Sequence, residues 1–221
     1  MKYLRDSLLV LGIVGILVLT ILCTGCTQPS PSSPPASPSV SPTATATAMP
    51  SPTSTTTSLP YGIAITIPQD WVQTTVAPSG TTDYGRNVNH VAYYVSPLVT
   101  PGDAKSSNTL SIDVDPGVQE SLDVYFNNAT LAVGNTYGKQ MQAHSTTLKV
   151  GGYQAYELDF QTTYENGVNT SGNYVNGNYI FTDVNGNIYV FAFKGSASLP
   201  VAQALQSVRP DVIKSIAITP S

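Results

Sequence analysis

Residues 179–193, with the sequence Tyr-Ile-Phe-Thr-Asp-Val-Asn-Gly-Asn-Ile-Tyr-Val-Phe-Ala-Phe, decide the fold of this chain. The dipeptide Asn185-Gly186 lies between two runs of strand-forming residues, and both of its members accept the positive φ angles of a two-residue turn. Residues 188–193 are apolar on both faces, which is typical of a strand buried on both sides. The stretch therefore predicts an antiparallel hairpin whose second strand lies at the centre of a sheet.

Alternating apolar residues predict further strands around this hairpin. They fall at residues 63–67, 91–95, 110–114 and 156–160. In the third of these strands, Asp113 is expected on the solvent-facing side. Two other Asn-Gly dipeptides, Asn166-Gly167 and Asn176-Gly177, are expected in longer loops.

Two segments have the apolar period of a helix. Ser121 is a predicted N-cap for residues 122–133, and Gly134 is expected to end that helix. Pro200 is expected in the first turn of a second helix, and Pro210 is expected to restart a short one. Helices that follow the early strands and close the chain predict an α+β fold rather than alternating βα units.

The N-terminal segment has the pattern of an export signal. Lys2 and Arg5 precede an apolar run at residues 8–23, which is short for a membrane span of about 20 residues. The order Thr24-Gly25-Cys26 resembles the end of a lipoprotein signal peptide, in which the lipidated cysteine follows a small residue. We therefore predict a signal peptide at residues 1–25 and a lipid on Cys26, although Cys23 stands where such signals prefer Leu.

An uncleaved signal anchor at residues 7–26 is the alternative. Both interpretations keep Lys2 and Arg5 in the cytoplasm and place the rest of the chain on the extracytoplasmic face of the cell membrane. Cys23 and Cys26 also form a C-x-x-C motif, but its position at the end of an export signal disfavours redox chemistry.

Charge is distributed very unevenly along the chain. No formal charge lies between Asp6 and Asp70, and residues 26–60 are rich in Ser, Thr and Pro, a composition that predicts a disordered linker. Residues 61–221 then form the single folded domain. The chain has nine Lys and Arg against thirteen Asp and Glu, a net charge of −4 with no basic cluster, so a nucleic-acid partner is excluded.

Three stretches of the predicted domain resemble the PsbP-like family. They are Tyr61–Trp71, Gly152–Phe160, and the closing part from Asn185–Phe193 through Arg209–Ile216. The resemblance implies an antiparallel β-sheet sandwiched by helices. The family is named for an extrinsic subunit of photosystem II, and many of its prokaryotic members are exported lipoproteins of unknown role. The resemblance implies no activity and no ligand residues for this chain.

The sequence has no signature of a hydrolase, a zinc protease or a nucleotide-binding loop. Its two histidines, His90 and His144, are each expected to face solvent. A triad of Ser, His and an acid is compatible with the composition, but no spacing indicates one. We predict no catalytic residues, no metal site and no cofactor.

Four acidic residues near Pro116-Gly117 raise the possibility of a calcium site; they are Asp113, Asp115, Glu120 and Asp123. Their spacing is not that of an EF-hand loop. The favoured interpretation places Asp115 at a turn and Glu120 and Asp123 at a helix start, where negative charge is stabilising.

The chain is rich in tyrosine, with 13 in all, and asparagines are frequent between residues 164 and 189. Exposed aromatic rings beside amides bind sugars, whereas the favoured interpretation assigns the tyrosines to strands and the asparagines to turns. Asn128 and Asn169 stand in N-glycosylation sequons, and the predicted loop position makes Asn169 the better acceptor.

These observations together predict a lipid-anchored surface protein with a PsbP-like domain that is not an enzyme and binds a protein partner. The alternative is a glycan-binding or hydrolytic protein of the cell envelope.

Overall fold

The computed structural model describes residues 54–77, 79–97, 107–138, 142–162, 164–165, 168–169, 174–197 and 199–220. The chain divides into two units, Met1–Ala48 and Met49–Ser221, and every described residue lies in the second. Cys26 and the apolar run at residues 8–23 are therefore outside the described residues. Within the described part, no helix is long and apolar enough to cross a membrane.

The described residues form thirteen strands and two helices. The strands are β1 Ser54–Leu59, β2 Ile63–Pro68, β3 Val72–Thr74, β4 Ser79–Thr81, β5 Asn87–Val95, β6 Asn108–Asp115, β7 Gln142–Val150, β8 Tyr153–Thr162, β9 Tyr164–Glu165, β10 Val168–Asn169, β11 Tyr174–Val184, β12 Asn187–Ala197 and β13 Ala217–Ile218. The helices are α1 Leu122–Tyr137 and α2 Leu199–Ser215.

An eight-stranded antiparallel sheet is the centre of the fold. Its order is β3-β5-β6-β12-β11-β8-β7, with β4 also paired to β5. A smaller antiparallel sheet has the order β1-β2-β13, and β9 pairs with β10. This mostly antiparallel sheet with two helices confirms the α+β class.

The hairpin predicted at Asn185-Gly186 is confirmed. Val184 lies opposite Asn187, and Asn185 and Gly186 have φ angles of 57° and 79°. The side chain of Asp183 accepts a hydrogen bond from the Gly186 N–H at 2.9 Å and stabilises the turn. As predicted, β12 is a central strand.

The two helices belong to different core clusters, and alternate residues of β12 are divided between these clusters. Helix α1 shares a core cluster with Val190 and Ala192, whereas α2 shares the other cluster with Phe191 and Phe193. Because successive residues of a strand point to opposite faces, the residues that β12 contributes to the two clusters lie on different faces of the sheet.

Asn176-Gly177 does not lie in a loop, contrary to the sequence-based expectation. It lies inside β11, where a Cβ on Gly177 would stand 2.1 Å from the ring of Phe160. The glycine is thus required by ring packing and not by a turn. The third dipeptide, Asn166-Gly167, is outside the described residues.

Both helices are longer than predicted. Ser121 caps α1 as expected, but the helix continues past Gly134 to Tyr137, because burial of the Tyr137 ring outweighs the roughly 1 kcal/mol cost of a glycine. Helix α2 likewise runs through Pro210 without a break, since Val212 and the following Ile216 are anchored in the core.

The folded unit begins within the segment that the sequence assigned to the linker. Residues Ser54–Leu59 pair with β2 along their whole length, and the hydroxyls of Thr56 and Thr66 lie 2.9 Å apart. Threonine favours strands when a neighbouring strand is available, which composition alone does not reveal.

Candidate functional site

Asp113 is buried, and its predicted position on a solvent-facing side is wrong. Only 1% of the residue is exposed. Tyr84 donates its hydroxyl to Oδ2 at 3.0 Å, Ser111 donates to Oδ1 at 2.9 Å, and His90 Nδ1 lies 2.7 Å from Oδ1. The segment before β5 carries Tyr84 over this part of β6, so both faces of the strand are covered there.

His90 is bound to Asp113, so its predicted solvent-facing role is also wrong. Its side chain is 21% exposed. The register of β5 shifts between His90 and Ala92, which leaves Val91 as an extra residue. Such a bulge re-aims side chains, and here the imidazole lies directly opposite Asp113 in the sheet.

A second carboxylate, Asp83, binds three donors close by. Its Oδ2 accepts hydrogen bonds from Tyr137 at 2.6 Å and Tyr179 at 2.5 Å, and Lys194 Nζ lies 3.1 Å away. Burial and the negative charge of Asp83 raise the pKa of Tyr137 to about 12, and they also raise the pKa of Tyr179. Burial acts to lower the pKa of Lys194, but Asp83 outweighs it and the pKa lies above its ordinary value.

The two carboxylates line a single depression of about 180 Å³, which we call the carboxylate cleft. The rings of Tyr84 and Tyr179 meet edge to face across it, with centroids 6.0 Å apart. The cleft is defined by Asp83, Tyr84, His90, Ser111, Asp113, Tyr179 and Lys194.

The polar groups of the carboxylate cleft bind one another. A serine nucleophile needs its hydroxyl directed at a general base, which a third group orients. Here Ser111 donates to Asp113, the same carboxylate that holds His90. The arrangement ties the β4–β5 connection to the sheet, and it does not prepare Ser111 for attack.

The other acidic candidates each have a separate partner. Asp115 accepts a hydrogen bond from Tyr125, Glu120 pairs with Arg86, and Asp123 in the first turn of α1 accepts one from Tyr156. Within the described ranges, no three His, Cys, Asp or Glu side chains are grouped as they would be around a metal ion.

The remaining predicted residues lie apart from the cleft. His144 is exposed on β7, as expected. Asn128 is exposed on α1, where its amide donates to Glu120. The backbone of Asn169 belongs to β10 rather than to a loop, and Cys26 is outside the described residues. Fully buried tyrosines favour the packing interpretation of this residue type; they are Tyr84, Tyr125, Tyr137, Tyr179 and Tyr189.

Strand β7 offers a second candidate surface. It is nine residues long and lies at one end of the sheet order. Its pairing with β8 is regular from Gln142 to Val150. At the opposite end, β3 and β4 are three residues each. Among the described strands of the eight-stranded sheet, β7 is thus the one edge strand longer than three residues, and its pairing has no bulge.

The backbone groups that β7 leaves unpaired follow from its turn. Gly151 and Gly152 form a two-residue turn with positive φ angles of 58° and 91°, and Val150 lies opposite Tyr153. The closing pair of such a hairpin exchanges both backbone hydrogen bonds, and successive pairs alternate. The N–H and C=O groups of Ser145, Thr147 and Lys149 therefore point away from the sheet.

Sequence reasoning missed most of these groups. It singled out His90 and Asp113 without their contact, and it did not single out Asp83, Tyr137, Tyr179 or Lys194. The run around His144 is polar and strand-like, but a sequence does not show which strand is an edge.

Comparison with known proteins identifies the fold. No protein-family model and no curated protein matches this sequence. Among solved structures, the PsbP protein of Synechocystis (CyanoP) is 12% identical with a TM-score of 0.51, covering 81% of this chain and all of its own. The Ran-binding protein Mog1p of Saccharomyces cerevisiae is 10% identical with a TM-score of 0.53, covering 77% of this chain and 97% of its own.

LpqN of Mycobacterium tuberculosis, a protein of cell envelope biogenesis, is 17% identical over 72% of this chain and 83% of its own, at a TM-score of 0.48. At these identities the likenesses concern the fold alone. The described domain has a PsbP-like fold, as the resemblance in its sequence predicted.

Proposed function

We propose that this chain is a binding protein of the extracytoplasmic membrane face, without catalytic activity, whose partner is a protein that adds a strand to β7. The observation that carries this proposal is the row of outward backbone groups at Ser145, Thr147 and Lys149. A partner strand satisfies such a row with main-chain hydrogen bonds, which only a polypeptide supplies.

The surroundings of β7 support a partner strand. Edge strands that must stay free are commonly blunted by proline, by bulges or by inward-pointing charge. Residues 145–147 are exposed, uncharged and free of proline, with two threonines that favour strands. Lys149 is the one Lys or Arg of the strand.

A depression beside β7 would receive side chains of the added strand. It lies on the α1 face and is lined by Ser145, Thr147, Phe126 and Tyr156. The rings of Phe126 and Tyr156 pack at a centroid distance of 5.2 Å. Alternate side chains of an added strand point to this face, and the aromatic wall favours apolar ones.

The comparison adds modest support for a protein partner. The yeast protein with this fold is a Ran-binding protein. The non-enzymatic part of the proposal is supported by the carboxylate cleft, whose Ser111, His90 and Asp113 are committed to mutual hydrogen bonds. Turnover of a glycan or ester substrate by the full chain would contradict it.

Thr147→Pro tests strand addition. The substitution removes an outward N–H, and edge strands tolerate proline there because the ladder to the inner neighbour is kept. With a photoreactive side chain at Ser145 in native membranes, we expect one cross-linked partner, whose yield falls at least about fivefold in Thr147→Pro.

Thr147→Val is the matched control, since it keeps the N–H and the strand propensity and should leave the yield unchanged. Equal cross-linking in the proline and valine variants would contradict strand addition, provided that both unfold at the same denaturant concentration.

Membrane attachment through lipid on Cys26 is the second part of the proposal. It is supported by the small residues before Cys26 and the basic, apolar segment ahead of them. Two acyl chains on one cysteine hold a soluble domain stably. Cys26→Ser should therefore release the chain from membranes or leave it uncleaved. A variant that is membrane-bound at wild-type level with the wild-type mature mass would contradict lipidation and favour the uncleaved anchor.

A further inference from the structure

A groove lies between helix α2 and the part of the sheet formed by β8 and β11. It encloses about 270 Å³. Five of its eleven lining residues carry side-chain amides, so we call it the amide groove. Its polar lining residues are His144, Asp159, Gln161, Asn176, Asn178, Gln203, Gln206 and Arg209. The carboxylate cleft and the outward edge of β7 do not include these amides.

Two buried polar atoms in this groove have no hydrogen-bond partner among the residues that the structure describes. They are Oδ1 of Asn178 and Nε of Arg209. Asn178 is 2% exposed, and its Nδ2 already donates to Glu157 and, at 3.5 Å, to Asp159. Because a buried polar group without a partner is destabilising, the pair marks a place where a ligand would be stabilising.

The two atoms define what the ligand must offer. Oδ1 of Asn178 accepts hydrogen bonds, whereas the Nε–H of Arg209 donates them. A ligand that satisfies both must supply a hydrogen-bond donor and a hydrogen-bond acceptor. A hydroxyl group does both, and so do neighbouring hydroxyls on one ring.

The charge of the groove disfavours an anion. Arg209 is its one Lys or Arg, and its guanidinium lies 3.5 Å from Glu157 and 3.6 Å from Asp159. A carboxylate or phosphate would have to displace these two acids. The positive charge is thus already neutralised, and a neutral ligand meets no repulsion.

The lining favours many hydroxyls over a peptide. Gln161, Gln203 and Gln206 expose amides that both donate and accept hydrogen bonds. The aliphatic side chain in the wall, Leu205, is 4% exposed and offers no anchor for an apolar residue. The volume lies just under the range of about 300–1,000 Å³ for drug-sized ligands, so one small unit fits.

We propose that the amide groove binds a neutral carbohydrate, as a free sugar or as the terminal unit of a longer glycan. The proposal goes beyond the proposed function and is independent of strand addition at β7. Hydroxyls of one sugar ring would accept from the Nε–H of Arg209 and donate to Oδ1 of Asn178.

The test measures side-chain amide resonances of the isotopically labelled full chain in detergent micelles. Glucose, mannose, galactose and N-acetylglucosamine are added one at a time at millimolar concentration. At least one of them should shift the amide resonances of Asn178 and Gln206. Arg209→Lys keeps the positive charge but lacks the Nε–H, and it should weaken binding about tenfold.

Ser207→Ala is the control on the same helix, because Ser207 Oγ bonds the carbonyl of Ala204 and does not line the groove. Gln206→Ala changes an exposed residue and should also weaken binding without affecting folding. The proposal is overturned if no sugar shifts these resonances, if Arg209→Lys binds like wild type, or if a neutral Ser/Asn peptide binds there and sugars do not. Cross-linking at β7 should be unaffected by Arg209→Lys, which separates the two proposals.

Discussion

Replacing Asp113 with alanine should lower the free energy of unfolding by about 3–5 kcal/mol, because removal of one partner from a buried charged network leaves the others uncompensated. In the variant, three polar groups lose their hydrogen-bond partner: the Tyr84 hydroxyl, the Ser111 hydroxyl and His90 Nδ1, all of which contact the Asp113 carboxylate in the folded protein. Denaturant unfolding at neutral pH, followed by the fluorescence of Trp71, measures the change.

Two further variants serve as comparisons for Asp113→Ala. Asp113→Asn keeps an acceptor oxygen and should cost less, about 1–3 kcal/mol. Asp211→Ala changes an exposed carboxylate on α2 and should stay within about 0.5 kcal/mol of wild type. If Asp113→Ala is no more destabilising than Asp211→Ala, the buried network described for the carboxylate cleft is wrong.

Stability should fall steeply at alkaline pH. Burial first, and neighbouring carboxylates second, raise the pKa of four tyrosines above their ordinary value: Tyr84, Tyr125, Tyr137 and Tyr179. Above pH 10 the unfolded chain loses these protons while the folded chain keeps them, so rising pH favours unfolding. Each such tyrosine removes about 1.4 kcal/mol per pH unit until its folded pKa is reached.

The pH window follows from these shifts. The four tyrosines contribute fully to the free energy of unfolding below about pH 10, the ordinary tyrosine pKa. The contribution of Tyr137 declines above that pH and stops declining near its folded pKa of about 12. Denaturant unfolding between pH 8 and pH 12 should show a plateau and then a decline, with tyrosinate absorbance of Tyr84, Tyr125 and Tyr179 appearing only on unfolding. Tyr137→Phe should make the decline of the free energy of unfolding with pH shallower by the contribution of one tyrosine, about 1.4 kcal/mol per pH unit. A flat profile up to pH 12 would contradict the buried cluster.

Local patterns were enough to predict most of the sheet. The Asn185-Gly186 turn specified its own hairpin, and alternating apolar residues located β2, β5, β6 and β8 because each has a buried face. The same reasoning failed for β1. Its Ser and Thr residues resemble the composition of the preceding Ser/Thr/Pro-rich residues, and they form a strand because β2 lies beside them.

The sites could not be predicted because they depend on distant contacts. The sequence predicts Asp113 on a solvent-facing side because it does not show that Tyr84 covers this residue. His90 contacts Asp113 next to a bulge in β5, and no local sequence pattern predicts that bulge. Asp83 and Tyr179 are separated by 96 residues and meet only in the folded sheet. Helix α1 passes Gly134 for a similar reason, since tertiary burial of Tyr137 overrides local propensity.

Two asparagines of the Asn-rich region line the amide groove, whereas the sequence composition favoured turns for this residue type. Asn176 and Asn178 lie in a strand rather than in turns. The sugar-binding alternative relied on exposed aromatic rings, whereas the proposed site relies on amides and on one acceptor and one donor that have no partner among the described residues. Only the position of these asparagines in the sheet suggests this role, because composition alone favours turns.

Amide hydrogen exchange along β7 tests the central claim most directly. The full chain would be measured alone and with the partner identified by cross-linking. Alone, the N–H groups of Ser145, Thr147 and Lys149 should exchange fast, while those of Thr146 and Leu148 should be slow because they bond β8. Partner binding should slow the first three and leave the other two unchanged. Outward amides that are already slow in the chain alone, or that stay fast with the partner bound, would contradict strand addition at β7.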